Sequence, residues 1–232
     1  MESNNSATKK VRGWAEPKTF TQQLKDVTRI RSIVKIGALG ALGFLLMELF
    51  QIPMPFAPAF MKVDFGDVPG LIGGFAMGPV AGFLIQLVKN ILKLFTSETV
   101  GVGELSNLIV GSTFVLVSSI IYRRSHNKKG AIVGLIVGSL AMSCIAVLSN
   151  TFFIFPAYAA AIKLDLDVLA TQIGAANGLV SNYMTLMLFS VFPFNLVKTL
   201  LESVVTFLLY KRISPILHSW SRSPGRRNCH RS

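Results

Sequence analysis

The residues equipped for chemistry in this chain are few, and they sit near the ends of apolar segments. Lys89, Asn90 and Lys93 close one such segment, Glu104 and Asn107 open the next, and Asn150 lies near the end of a third. Asn195 and Lys198 open the last one. They are three residues apart, hence on one helix face, with Glu202 one turn beyond Lys198. Ionisable and amide groups at membrane depth are costly, so they line a cavity or pair with one another. Aromatic residues fall at the same level: Phe56, Phe60, Phe65, Phe152, Phe153, Phe155, Tyr158 and Phe194. Amide donors and acceptors beside aromatic surface suit a flat, uncharged ligand with polar edges. Each member also has a plainer reading. Lys198 could pair with Glu202, and Lys89 and Lys93 could snorkel to the headgroups. Asn107 and Asn150 could bond between helices, and the aromatics could form an interfacial belt.

Catalytic chemistry has little to work with. A membrane enzyme acting on lipids needs a carboxylate or histidine cluster on one face, yet His126, His218 and His230 all fall in a loop or the tail. The two cysteines, Cys144 in an apolar segment and Cys229 in the C-terminal tail, are placed for neither a disulfide nor a metal site. The chain contains no P-loop, GxSxG or HExxH motif. The expectation is no catalytic residue, no metal and no cofactor of its own. A purely structural scaffold is disfavoured by the convergence of polar groups on one face.

The elements that position these groups are membrane helices. Of 232 residues, 51% are hydrophobic and only 15% charged, with mean hydropathy +0.55. A soluble domain carries roughly 25% charged residues. Long apolar segments run over Ile33–Phe50, Val80–Phe95, Leu105–Tyr122, Ala131–Phe155 and Asn195–Tyr210. No ten-residue stretches alternate as β-barrel strands do. Val180–Phe192 is apolar but short, and Pro193 should break it, which predicts a partial or re-entrant helix. Ala157–Gly178 reads as a surface loop or short helix, and Thr19–Arg31 as a short surface helix. The loop Gln51–Asp67 is Pro-rich and too apolar to be a freely solvated linker, so it should fold back over the bundle.

Val68–Phe95 is either one long helix or two spans turning at Gly78-Pro79, and basic charge decides between them. The net charge of +12 reflects residues flanking the spans, which reads as topogenic rather than nucleic-acid-binding. Three clusters, the N-terminal arm through Lys35, the run RRSHNKK at 123–129 and the tail from Lys211, should all be cytoplasmic. That is possible only if Val68–Phe95 counts as two spans and Val180–Phe192 does not cross. The reading is an all-α polytopic membrane protein with six transmembrane helices, both termini cytoplasmic and a long extracellular first loop. Its parts are a basic N-terminal extension (1–32), a six-helix membrane domain (33–217) and a basic tail (218–232).

Four motifs carry a resemblance: DFGDVPGLIGGFAMGPVAGF (64–83), GVGELSNLIVG (101–111), Asn150-Thr151-Phe152-Phe153, and PFNLVKTLLESVVTFLLYKRISPIL (193–217). They are similar to the riboflavin-binding S component of energy-coupling factor (ECF) vitamin transporters, over about Ile33 to Leu217. The resemblance implies a six-helix subunit in a prokaryotic cell membrane, capturing riboflavin on its extracellular side under the first loop. It implies as partners a transmembrane coupling subunit and two ATPase subunits, with riboflavin as ligand and binding of flavin mononucleotide left open. The ligand-contacting positions it implies are Met61, Lys62, Val63, Asp64, Asn150, Asn195 and Lys198. Lys89, Glu104, Asn107 and Glu202 stand as possible groups behind them. Gly37 and Ala41, a small-xxx-small pair, fall where such proteins meet the coupling subunit, with Gly where Ala is usual. Lys62 stands where a neutral residue is usual, and the basic extensions have no counterpart in the family. An S component for another vitamin, such as thiamine or pantothenate, stays open.

Overall fold

The computed structural model describes residues 20–58, 61–162, 168, 170–171 and 178–221. A short helix α1 (Phe20–Val27) leads into α2 (Ile30–Leu49), the first of four helices among the described residues that are long and apolar enough to cross a membrane. The first loop then makes a two-stranded antiparallel clip, β1 (Ile52–Pro53) on β2 (Lys62–Val63), with Ile52 opposite Val63. The loop is drawn down onto the bundle at Gly66, whose carbonyl approaches Gly43 of α2. A Cβ on Gly43 would lie 2.8 Å from that oxygen, so only glycine admits the loop here.

The chain next forms α3 (Val68–Met77) and α4 (Pro79–Leu94), which break at Gly78 with φ of 103°. That left-handed value excludes an ordinary side chain, and Pro79 then restarts the helix at its first position, where no N–H is needed. The two helices return side by side and antiparallel, Gly82 against Gly74 and Gly70 against Gln86. At ten and sixteen residues they are about 15 Å and 24 Å long. Each is shorter than the ~30 Å hydrocarbon core. The buried loop ahead of α3 extends its path.

Helices α5 (Val102–Ser125) and α6 (Lys128–Ser149) form a tight pair. His126 closes α5 in a left-handed turn, and Asn127 caps α6 by accepting from the Gly130 N–H at 2.7 Å. The helix line of α6 does not stop where the apolar pattern suggested. It widens into a π-turn (Asn150–Ile154) and continues as α7 (Phe155–Ile162) straight through Pro156.

The last helical line repeats this device and corrects the expected break at Pro193. Helix α8 (Tyr183–Leu186) passes through a π-turn (Met187–Val191) into α9 (Phe192–Ser221), giving one apolar run over Tyr183–Leu209. Proline removes a backbone donor and crowds the carbonyl four residues back. The π-turn opens that space, with the Phe192 N–H reaching back five residues to the Met187 carbonyl. Phe155 and Asn150 do the same before Pro156. In both lines the π-turn ends two residues before the proline. A partial helix and a span therefore fuse into one. The surface loop or short helix read over Ala157–Gly178 falls largely outside the described residues, and α7 is a helix at its start. The main core packs Leu71, Phe114, Met142, Phe155, Leu186 and Met187 between these lines.

Candidate ligand-binding site

A cavity opens to solvent between the first loop and the loop-side ends of α2, α4, α5 and α9, with the π-turn after α6 on its wall. Met61, Lys62 and Asp64 line it from the loop, Glu104 and Asn107 from α5, Asn150 from the first π-turn, and Asn195 and Lys198 from α9. Of the residues expected to meet a ligand, only Val63 is missing. Strand alternation turns it the other way, fully buried with Ala57 and Phe194. Lys89 and Glu202 also lie outside the lining.

The two asparagines are held alike. Asn150 Nδ2 donates to the Ala146 carbonyl at 2.7 Å, and Asn195 Nδ2 donates to the Val191 carbonyl at 2.8 Å. Both are bonds back to residue i−4, made beside or within a π-turn. Each bond uses one N–H of the amide and orients its plane, leaving the second N–H and the amide oxygen for other partners. Tyr183 covers the same widened turn, its hydroxyl donating to the Thr151 carbonyl at 2.9 Å. The site therefore offers oriented amides that can accept from ligand N–H or O–H groups and also donate.

Behind the amides lies a buried charge network that the sequence did not disclose. Lys198 Nζ donates to Asp64 Oδ2 at 2.8 Å and stands 3.8 Å from Asp67 Oδ2. The alternative pairing of Lys198 with Glu202 is thus replaced by a partner on the first loop. Lys89 is a second correction: it does not snorkel to the membrane surface but is 1% exposed and ion-paired to Asp67. A charge this deep persists only with a partner, and α4 packed under the loop provides one. Asp64 also accepts the Gly66 N–H at 2.7 Å, so the turn that seats the loop and the salt bridge share one carboxylate.

The mouth has its own contacts. Lys62 donates to Gln51 Oε1 at 2.8 Å and to Glu98 Oε2 at 2.9 Å, tying the loop to the α4–α5 connection. Its ammonium holds the Glu98 carboxyl below the ordinary carboxylate range. Lys93 donates to Glu48 at 2.6 Å, and Glu104 accepts from Ser97 and Thr99. Among the aromatics, Tyr158 and Phe194 line the cavity, while Phe152 and Phe153 are 67% and 70% exposed on the outer surface. Phe155 is core, Phe65 stacks edge-on with Phe50, and Phe60 lies outside the described residues. Met47, Gln51, Thr99 and Ser106 also line it, without any signal in sequence. They are ordinary residues whose position depends on the bundle.

On α2, Gly40 and Gly43 take up the internal packing against Val88 and the loop, whereas Gly37 has nothing within 4 Å of where a Cβ would stand. Gly37 and Ala41 therefore share a partly exposed, shallow stretch of the helix surface.

Comparison with known proteins gives consistent matches. "Riboflavin transporter RibU" of Staphylococcus aureus (strain TCH60) is 31% identical over 187 residues, covering 81% of this chain and 92% of that protein. "Riboflavin transporter FmnP" of Bacillus subtilis (strain 168) is 29% identical over 193 residues, covering 81% and 94%. A solved structure described as "Structure and mechanism of the S component of a bacterial ECF transporter" superposes with a TM-score of 0.63 at 30% identity, covering 80% of this chain and 96% of that one. A family model described as "ECF transporter, substrate-specific component" matches residues 31–210, the stretch that contains every element of the cavity, and the chain belongs to that family.

Proposed function

We infer that this chain is the substrate-binding subunit of an ECF-type importer, capturing riboflavin at the outer face of the cell membrane and releasing it inward. The observation that carries the reading is the cavity itself. Two oriented amides and a buried ammonium converge beside Met61, Tyr158 and Phe194, under a loop tied down by Lys198 and Lys62. A flavin has a flat ring system with polar atoms along one edge and a hydroxylated side chain. Asn150 and Asn195 suit its N–H or hydroxyl donors, and Lys198, which only donates, suits a carbonyl or hydroxyl oxygen. Lys198 has three N–H groups, so the bond to Asp64 leaves others for the ligand. The names of the relatives support riboflavin over other vitamins.

The proposed topology has six crossings, with α3 and α4 as the second and third, and both termini in the cytoplasm. The chain does no chemistry of its own in this reading. Energy comes from two ATPase subunits through a transmembrane coupling subunit, which meets α2 at the open notch of Gly37 and Ala41. Uptake of labelled riboflavin by cells making this chain with and without a coupling complex tests the proposal. Riboflavin should accumulate only with both present. Accumulation of thiamine or pantothenate in its place contradicts the substrate assignment.

A further inference from the structure

Among the described residues, Glu202 is an ionisable group near the site that neither the cavity lining nor the salt bridges use. It is wholly buried on α9, one turn below Lys198, and neither of its carboxyl oxygens accepts a hydrogen bond. The charges around it are already balanced. Asp64 and Asp67 from the loop face Lys198 on the same helix and Lys89 on α4, two acids against two bases. Glu202 is a third carboxyl within electrostatic reach of all four. Among the described residues, the other cations of the packed elements are placed elsewhere. Helix α3 has no titratable residue, and α6 has Lys128 and Lys129 at its far start and an exposed Cys144. On α4, Lys93 is paired with Glu48. On α5, Glu104 is engaged by Ser97 and Thr99, and Tyr122, Arg123 and Arg124 stand in the last turn at the opposite end from Glu104. An ionised carboxylate without donors or counter-charge is far costlier in such an interior than the neutral acid.

We propose that Glu202 is a proton-binding site, coupled through Lys198 to closure of the first loop over the ligand. The proton comes from bulk solvent and returns to it. With Glu202 neutral, Lys198 is free to bond Asp64 and hold the loop down. When Glu202 loses its proton, its carboxylate competes with Asp64 for the same ammonium, and the loop loses its anchor. Linkage makes the relation reciprocal: a ligand that holds the loop closed favours the proton, and the proton favours the ligand. Affinity therefore falls as pH rises through the titration of Glu202, by up to tenfold per pH unit for one coupled proton.

The ligand in this test rests on the riboflavin reading, but one arm does not need it. The infrared spectrum of ligand-free, full-length protein should contain the C=O band of a buried protonated carboxyl, absent in Glu202→Gln. A wild type without the band, or a variant that keeps it, overturns the proposal whatever the ligand. Riboflavin titrations across pH form the other arm. Wild-type affinity should decline on the alkaline side, and the variant should lose that decline. A pH-independent wild type, or a decline that persists in the variant as the ligand's own ionisation would give, also overturns it. Failure to bind riboflavin at any pH sinks the ligand assignment instead, and the infrared arm then decides the fate of the proton site.

Discussion

Replacing Lys198 by methionine separates its two roles. The residue spans loop and bundle, bonded to Asp64 at 2.8 Å with both side chains 4% exposed. Removing one partner of a buried pair leaves an uncompensated charge, at a cost of about 3–5 kcal/mol. Lys198→Met should therefore lower the thermal midpoint markedly in detergent. Adding Asp64→Asn removes the stranded charge, while Asp67 keeps Lys89 and the network returns to one acid and one base. Most of the lost stability should return in the double variant. Ligand affinity should not. If Lys198 also donates to the ligand, the double variant still lacks that bond, worth about 1.4 kcal/mol or tenfold in Kd. Quenching of flavin fluorescence gives Kd, and a melting series without ligand gives stability. Recovery of both quantities together would show that Lys198 anchors the loop and touches nothing else. Failure to recover stability would refute the charge accounting.

Asn195→Ala, which removes an oriented amide and frees the Val191 carbonyl, should weaken riboflavin binding about tenfold or more in the same titration. Lys62→Ala breaks an exposed pair worth about 0.2–1 kcal/mol, so Kd should rise no more than roughly fivefold, and less at high salt. Gly37→Leu with Ala41→Leu should abolish transport but leave affinity nearly intact; equal loss of both would mean the pair serves internal packing. Cysteine at Ser125, in an otherwise cysteine-free chain, should resist an impermeant reagent applied to intact cells. Labelling from outside would contradict the six-crossing topology.

Much of the architecture was legible because the bilayer imposes it. Apolar length located α2, α5 and α6, and Gly78-Pro79 marked a candidate turn between α3 and α4 that the placement of basic charge then selected. The error at Pro193 has a physical source: proline breaks a regular α-turn, but a π-turn upstream removes the clash, and nothing in Met187–Val191 announces that turn. The companion at Pro156 shows that the device belongs to this bundle rather than to one sequence. Among site residues, Asn195 and Lys198 were readable as polar groups sharing a helix face. The partnership of Lys198 with Asp64 was not, since the two lie 134 residues apart and meet only when the loop folds inward. The same holds for Lys93 and Glu48. A period-two alternation through Lys62–Val63 would have assigned Val63 to the core, had the short strand been recognised.

Whether this cavity holds a flavin is decided by the absorption spectrum of protein purified from flavin-supplied cells. The wild type should carry a flavin band at close to one equivalent per chain, sharply reduced in Asn195→Ala. A folded, monodisperse wild type that carries no flavin band and quenches no added riboflavin would contradict the flavin assignment.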